Sequence, residues 1–276
     1  MNFLLHNDRI LSEQEYVLGQ HNRLFQYNDG VFETLILERG EIRFLRDHLL
    51  RLRKALRVLK MEEPALMENE KRLTEKVREL AAWNGLGPSG RVKFKVWRAG
   101  KGLFTPERMD SEILVTVQPH VVHPPVIAQA GIGVGVRNRF SPFSFFKGPY
   151  SLHYVMAAIE RKERSLKEII LLDEQGHVSE AGTSNVFWIR GDTLYTPSLE
   201  TGCIEGVMRM NVQRVCAEEQ IPLEMGLFRP EELLGAEAVF TSNVTGLYPI
   251  EEMEGRVLAT DHRVVQRLRA RLIITE

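Results

Sequence analysis

The strand-forming stretch Val31-Phe32-Glu33-Thr34-Leu35-Ile36-Leu37-Glu38, rich in β-branched, aromatic and other apolar residues, is followed after Arg39-Gly40 by Glu41-Ile42-Arg43-Phe44-Leu45, in which polar and apolar residues alternate. Two such stretches on either side of a tight turn read as a β-hairpin with alternating burial. The period then lengthens. Leu49, Leu52, Leu56 and Leu59 recur at helical spacing from His48 to Lys60, which predicts a helix capped by Asp47. Leu66, Leu73, Val77 and Leu80 among charges predict a second amphipathic helix from about Ala65 to Trp83, stopped by Asn84-Gly85. Strands are expected at Val92 to Trp97 and Ile113 to Val117.

The stretch Gln118-Pro119-His120-Val121-Val122-His123-Pro124-Pro125 interrupts this pattern, because proline opposes helix and removes a ladder donor from a strand. It is the expected domain boundary, with a small N-terminal domain over residues 1–120 and a larger C-terminal one over 121–276. Beyond it the pattern predicts a strand at Ile132 to Val136, a loop, and a helix from about Leu152 to Ser165. Strands follow at Glu168 to Leu172, Asn185 to Ile189 and Leu194 to Thr196. A helix is expected from Gly206 to Glu219, a strand at Ala238 to Thr241, a loop from Ser242 to Gly246, and a last helix capped by Thr260 or Asp261. Hairpins mixed with helices, without steady βαβ alternation, favour an α+β fold over a doubly wound sheet.

Composition narrows the function. The 276 residues carry 36 Lys plus Arg against 37 Asp plus Glu, so no basic footprint points to nucleic acid or an anionic membrane. No apolar run approaches the ~20 residues of a bilayer span. The start, Met1-Asn2-Phe3-Leu4-Leu5-His6-Asn7, lacks a signal-peptide profile, so a soluble cytoplasmic protein is expected. Cys203 and Cys216 form neither a disulfide framework nor a metal-like pair, and His120 and His123 read as linker residues; no metal is expected.

Chemistry concentrates at four separated places. Lys147 sits in Phe145-Phe146-Lys147-Gly148-Pro149-Tyr150, where bulky apolar neighbours desolvate an amine and favour its neutral, nucleophilic form, as a Schiff-base lysine requires. Glu180 closes the turn Gly176-His177-Val178-Ser179-Glu180, and a carboxylate there can pair with a protonated ring nitrogen. Arg51 offers a cation. In Cys203-Ile204-Glu205-Gly206-Val207-Met208-Arg209 a glycine opens a helix whose first amides can approach a phosphate. An aldehyde, a basic ring nitrogen and a phosphate together describe pyridoxal 5'-phosphate.

The order of motifs along the chain resembles the class IV aminotransferases, the fold-type IV pyridoxal-phosphate enzymes that include branched-chain and D-amino acid aminotransferases and aminodeoxychorismate lyases. The resemblance rests on Asp29-Gly30-Val31-Phe32-Glu33-Thr34, His48-Leu49-Leu50-Arg51-Leu52, Lys95-Val96-Trp97-Arg98 and the lysine loop. It continues through Gly176 to Phe187, Tyr195-Thr196-Pro197-Ser198-Leu199, Gly206-Val207-Met208-Arg209 and Phe240 to Ile250. It implies a small N-terminal α/β domain, a larger C-terminal pseudo-barrel domain, and a homodimer with active sites near the interface. Lys147 is then the Schiff-base lysine and proton shuttle, Glu180 the partner of the pyridine nitrogen, and Arg51 a phosphate ligand. Val207, Met208, Ser242, Asn243, Val244 and Thr245 complete the phosphate cup, and Phe32, Arg98 and Tyr150 meet a small-molecule substrate.

Two reactions share this machinery: elimination of pyruvate from 4-amino-4-deoxychorismate to leave 4-aminobenzoate, and transamination of a branched-chain or D-amino acid. Three details favour the lyase. Thr34 resembles a lyase threonine proposed to assist proton transfer, Gly-Val-Met-Arg resembles the lyase form of the phosphate loop, and Arg98 matches an arginine suited to a substrate carboxylate. Against them, Tyr150-Ser151 replaces the family's common Asn-Tyr, and Val244-Thr245 departs from its usual last phosphate loop. A cofactor-less binding protein is a remote alternative, since the lysine, the acid and the arginine are all present.

Overall fold

Two short antiparallel strands open the chain, β1 (Phe3–His6) and β2 (Arg9–Ser12), neither of which stands out in the sequence pattern. They are followed by α1 (Arg23–Tyr27), β3 (Gly30–Glu38), β4 (Glu41–Ile42), α2 (Leu45–Val58), α3 (Glu70–Trp83), β5 (Gly90–Arg98) and β6 (Ser111–Gln118). The computed structural model describes residues 2–121, 124–148 and 151–273 and divides the chain into two units, Met1–Val122 with Phe146–Pro149, and His123–Phe145 with Tyr150–Glu276.

In the first unit the six strands form an antiparallel sheet in the order β2-β1-β6-β5-β3-β4. The predicted hairpin is β3 and β4, with Leu37 opposite Ile42. Alternation sends Glu33, Leu35 and Leu37, together with Val92, Phe94 and Val96 of β5, toward the face where Leu49, Leu52 and Leu56 of α2 are buried. Two helix starts differ from expectation. α2 begins at Leu45 after Phe44, which takes a left-handed conformation and offers no side-chain cap, so Asp47 lies inside the first turn and interacts with the helix dipole instead. The second amphipathic run is broken: Ala65–Met67 is a 3₁₀ turn, and the Asn69 side-chain Oδ1 accepts from the Arg72 amide at 3.0 Å to start α3 afresh.

The second unit contains β7 (Ile127–Asn138), α4 (Leu152–Glu163), β8 (Glu168–Asp173), β9 (Val178–Ala181), β10 (Asn185–Arg190), β11 (Thr193–Pro197), α5 (Val207–Glu218) and β12 (Leu223–Gly226). It ends with α6 (Pro230–Leu234), β13 (Ala238–Asn243), β14 (Gly246–Met253), β15 (Arg256–Val257) and α7 (Arg263–Leu272). Its sheet runs β12-β11-β10-β13-β14-β7-β8-β9, with β15 beside β14, and mixes parallel pairs (β11 with β12, β14 with β7, β7 with β8) among antiparallel ones. Ile170, Val186, Trp188, Val239, Leu233 and Ile250 form a buried core around it. α7 starts at Arg263, where the His262 ring accepts from the Val264 amide, rather than at Thr260 or Asp261.

β7 carries a register shift between Ile132 and Arg137. The amides of Val134 and Gly135 in that interval donate to the Glu160 carboxylate of α4, at 3.0 and 2.8 Å, so an irregular stretch of strand is satisfied by a helix side chain and in turn fixes that helix. Burial pushes the Glu160 carboxyl up, and these amides with Arg164 bring it below its ordinary value. No helix among the described residues is long and apolar enough to cross a membrane.

Asn84, at the end of α3, acts as a peptide mimic: its oxygen accepts from the Phe3 amide at 2.9 Å, and its nitrogen donates to the Phe3 and Leu80 carbonyls at 3.0 Å each. Asn84→Ala should cost about 1–3 kcal/mol in urea unfolding and accelerate amide exchange at Phe3. Unchanged protection at Phe3 would show that β1 is held by its sheet neighbours alone.

Candidate active site

The lysine loop is strapped to the start of β3. The Phe32 amide donates to the Lys147 carbonyl at 2.8 Å, and the Asn28 side-chain nitrogen donates to the Gly148 carbonyl at 3.1 Å. A Cβ at Gly148 would stand 2.7 Å from the Gly30 carbonyl oxygen, so the glycine after the lysine is what lets the two segments close. Phe32 and Thr34 project from one face of β3; Lys93, paired with Thr34 across the ladder, carries its Nζ 4.5 Å from the centre of the Phe32 ring. Burial lowers the Lys93 pKa, with help from Lys95 and Arg91. Lys93 was missed in the sequence because its place opposite Thr34 depends on strand register.

Glu33 points to the other face, fully buried, where Arg51 binds it through Nε at 2.7 Å and Nη2 at 2.5 Å. The His48 ring completes the triad, its Nδ1 lying 2.8 Å from Glu33 Oε2, which makes Nδ1–H the donor to a carboxylate. Burial raises the Glu33 carboxyl, but Arg51 and His48 outweigh it and hold it down to about 2. Burial lowers the His48 pKa against the pull of Glu33, with the charges of Arg51 and Lys147 adding to the lowering. His48 therefore stays neutral near pH 7, and its buried Nε2 has no hydrogen-bond partner among the described residues. Arg51 thus reaches any anion already paired with Glu33. A charged residue inside an apolar strand, 15 residues before the histidine and 18 before the arginine of a helical His-x-x-Arg, is the sequence signal that this triad leaves.

Arg98 is buried with its guanidinium fully engaged: Nε and Nη2 with Asp29 at 3.0 and 3.5 Å, Nη2 also with the Leu59 carbonyl at 2.6 Å, and Nη1 with the Lys60 carbonyl and Met109 Sδ at 3.0 and 3.2 Å. Arg23 binds the same carboxylate at 2.7 Å. Asp29 and its two arginines line a cavity of about 240 Å³ with Tyr27 and Phe104. A substrate carboxylate at Arg98 would have to displace one of these bonds. Tyr150 lies outside the described residues, as does His123.

In the second unit Glu180 stands on β9 opposite Leu171, on a strand and not on the turn expected; the turn precedes it, where the Asp173 carboxylate accepts from the Gln175 and His177 amides. Three donors converge on Glu180: the Asn138 side chain at 2.9 Å and the Tyr154 hydroxyl at 2.5 Å on Oε1, and the Ile204 amide at 3.2 Å on Oε2. The Ile204 amide ties the acid to the loop that opens α5. That helix starts at Gly206 with no side-chain cap, leaving its first turn of amides to another acceptor. Asn185 fixes the approach, donating to the Ile204 carbonyl at 2.7 Å, while its Oδ1 lies 2.0 Å from where a Cβ of residue 206 would be.

Ser242 pairs with Asn185 across the β10–β13 ladder, so both side chains share a face, and the Ser242 Oγ is buried without a hydrogen-bond partner among the described residues. Val207 and Met208 are buried at the helix start. Asn243 holds the following turn, donating to Ser184 Oγ at 3.0 Å and accepting from the Thr245 amide at 2.9 Å, with Val244 half-buried between them. Cys203 is inert beside this site: burial, then the Glu180 charge, push its thiol up to about 12. The orphaned hydroxyl, the uncapped helix start and the convergently held carboxylate fit a group with a phosphate at one end and a basic ring nitrogen at another.

A profile of the amino-transferase class IV family matches residues 30–253. The chain belongs to the class IV aminotransferases. Among relatives, it is 29% identical over 250 residues to the aminodeoxychorismate lyase of Bacillus subtilis (strain 168), covering 90% of this chain and 85% of that one. It is 26% identical to the D-alanine aminotransferase of Bacillus licheniformis over 93% of this chain and 90% of that one. Among solved structures, the branched-chain aminotransferase of Thermoproteus uzoniensis superposes with a TM-score of 0.87 at 23% identity, over 98% of this chain and 93% of that one. The fold is α+β of fold-type IV, and this class IV chain is a pyridoxal-phosphate-dependent enzyme.

The Glu33 triad makes a pH prediction. Its folded pKa, about 2, lies below the ordinary 4.5, so its stabilisation is complete above pH 4.5 and is lost as pH falls toward 2. Glu33→Gln should lose about 3–5 kcal/mol at pH 7, since Arg51 stays buried without its counter-charge, and should flatten the fall in stability between pH 4.5 and 2. Parallel acid limbs in urea unfolding of the two proteins would refute the assignment.

Proposed function

We propose that this class IV enzyme is a 4-amino-4-deoxychorismate lyase, releasing 4-aminobenzoate and pyruvate. The observation that carries the reading is Thr34, a buried hydroxyl two residues from the Phe32 amide that holds the Lys147 carbonyl. A hydroxyl there can relay a proton that a glycine cannot. Lys93, on the same sheet face, adds a cation for a substrate with more than one carboxylate. Bound pyridoxal 5'-phosphate supplies an electron sink next to the reacting carbon. In this reading Lys147 Nζ takes the proton from that carbon, which bears none in 4-aminobenzoate, and Thr34 passes a proton toward the departing enolpyruvyl portion, which leaves as pyruvate. Glu180 holds the proton on the ring nitrogen.

Val207 and Met208 amides, Ser242, Asn243, Val244, Thr245 and Arg51 hold the phosphate, with Arg51 oriented by Glu33. Phe32 and Tyr150 shape the substrate pocket. Arg98 either meets a substrate carboxylate or acts through Asp29, as its bonds favour. We further read residues 1–120 and 121–276 as the two domains, and the protein as cytoplasmic and homodimeric. A partner copy has a surface to cover: Leu152, Val155, Met156 and Ile159 form an exposed apolar stripe at helical spacing on α4.

The second reading, an amino-acid transaminase, is favoured by the full-length likeness to the D-alanine aminotransferase. Incubating the loaded enzyme with enzymatically generated aminodeoxychorismate, while following 4-aminobenzoate and pyruvate together, decides between them. Catalytic release of both is expected. Absence of release, with amino transfer from a donor panel to 2-oxoglutarate, would replace the lyase by the transaminase.

Thr34→Gly should reduce pyruvate release by roughly 10²-fold or more, the usual worth of a positioned proton relay, while leaving cofactor loading intact. Equal loss of lyase and transaminase activity would remove Thr34 from the specificity argument. Lys147→Ala should abolish covalent attachment of the cofactor, read by its absorbance and by borohydride trapping; retained attachment would refute the role of Lys147.

A further inference from the structure

Tyr154 lies outside every motif in the sequence, yet its hydroxyl donates to Glu180 Oε1 at 2.5 Å, closer than the Asn138 and Ile204 donors to that acid. Its position is built from two directions. α4 is fixed on β7 by the Glu160 carboxylate on the Val134 and Gly135 amides, and the Tyr154 ring packs with Val136 on the buried cluster of Ala157, Ile169 and Leu171. The apolar ring thus anchors in the core while the hydroxyl reaches the polar site, the division of labour that suits tyrosine. Asn138, at the end of β7, donates to the same Oε1 at 2.9 Å and to Ser179 Oγ at 2.9 Å. Burial, then the Glu180 charge, raise the Tyr154 hydroxyl well above its ordinary 10, so it remains a donor across the working pH range.

We propose that Tyr154 is a positioning residue for Glu180: by donating to Oε1 beside Asn138 it fixes the carboxylate's orientation and weakens its competition for a proton held on the cofactor's ring nitrogen. A carboxylate that accepts a charged hydrogen bond from a phenol is a poorer base than one that does not. Loss of the hydroxyl would let the shared proton move toward Glu180 and away from the ring. This rests on the reading of Glu180 as the ring-nitrogen partner.

The test is infrared difference titration of the full-length protein, loaded with pyridoxal phosphate and, separately, stripped of it. The protonated-carboxyl band of Glu180 is assigned by its loss in Glu180→Gln. Tyr154→Phe should move the midpoint of that band upward by about one pH unit, tenfold in proton affinity, in both forms. Replacing Tyr154 by 3-fluorotyrosine, which keeps the ring's place and makes the hydroxyl a better donor, should move it the other way. A structural role alone would give no such reversal, and the fluorinated protein tests the idea even where the phenylalanine variant folds poorly. Unmoved midpoints in both variants would overturn the proposal. A shift confined to the stripped protein would preserve the hydrogen bond but overturn its role toward the cofactor.

Discussion

The first unit is organised around a carboxylate that cannot be solvated. Glu33 sits inside a strand whose neighbours on the same face are leucines, and taking its charge out of water would be prohibitive without compensation. Arg51 and His48, one helical turn apart on α2, supply it. The helix is therefore registered on the sheet by a charged bond as well as by Leu49, Leu52 and Leu56. Because Glu33 falls between Phe32 and Thr34, the same alternation that buries it turns those two residues to the opposite face, and the Phe32 amide holds the lysine loop. One buried acid thus sets the orientation of the arginine, the strand and the neighbourhood of Lys147.

The second unit solves a related problem with neutral donors. Glu180 is held by an amide side chain, a phenol and a backbone N–H, each from a different element. These three donors are neutral, so each stabilises the carboxylate without neutralising it. The backbone donor at Ile204 also couples the acid to the loop before α5, where Gly206 and Asn185 fit against each other too closely for any side chain at 206. The acid and the start of α5 are consequently parts of one local structure.

Membership of the class IV family leaves the reaction to smaller differences. Likeness spreads over lyases and aminotransferases alike, as expected when the cofactor carries the shared chemistry and the side chains over the substrate carry the choice. In the proposed reading Thr34 is such a side chain. Arg98 shows the opposite lesson: a residue type suited to a carboxylate is already bound to Asp29 and three other acceptors.

By itself the sequence determined the elements whose periodicity is local and the motifs whose chemistry is unusual. The hairpin at residues 30–42, the helix of Leu49, Leu52 and Leu56 and the Gly206 helix start were all legible, because alternating burial, turn residues and amphipathic spacing act over a few residues. Helix starts were less so: α2 follows Phe44 with no side-chain cap in place of Asp47, α3 starts afresh at Asn69, and His262 takes the place of Asp261 at α7. Tertiary structure alone decided that Glu33 neutralises Arg51, that Arg98 serves Asp29, that Lys93 lies over Phe32, and that Asn138 and Tyr154 share an oxygen of Glu180. Each of these depends on strand register or on helix docking between residues distant in the chain, and a hydrogen bond's demand for sub-ångström placement is met only when the packing of whole elements has fixed where its two ends lie.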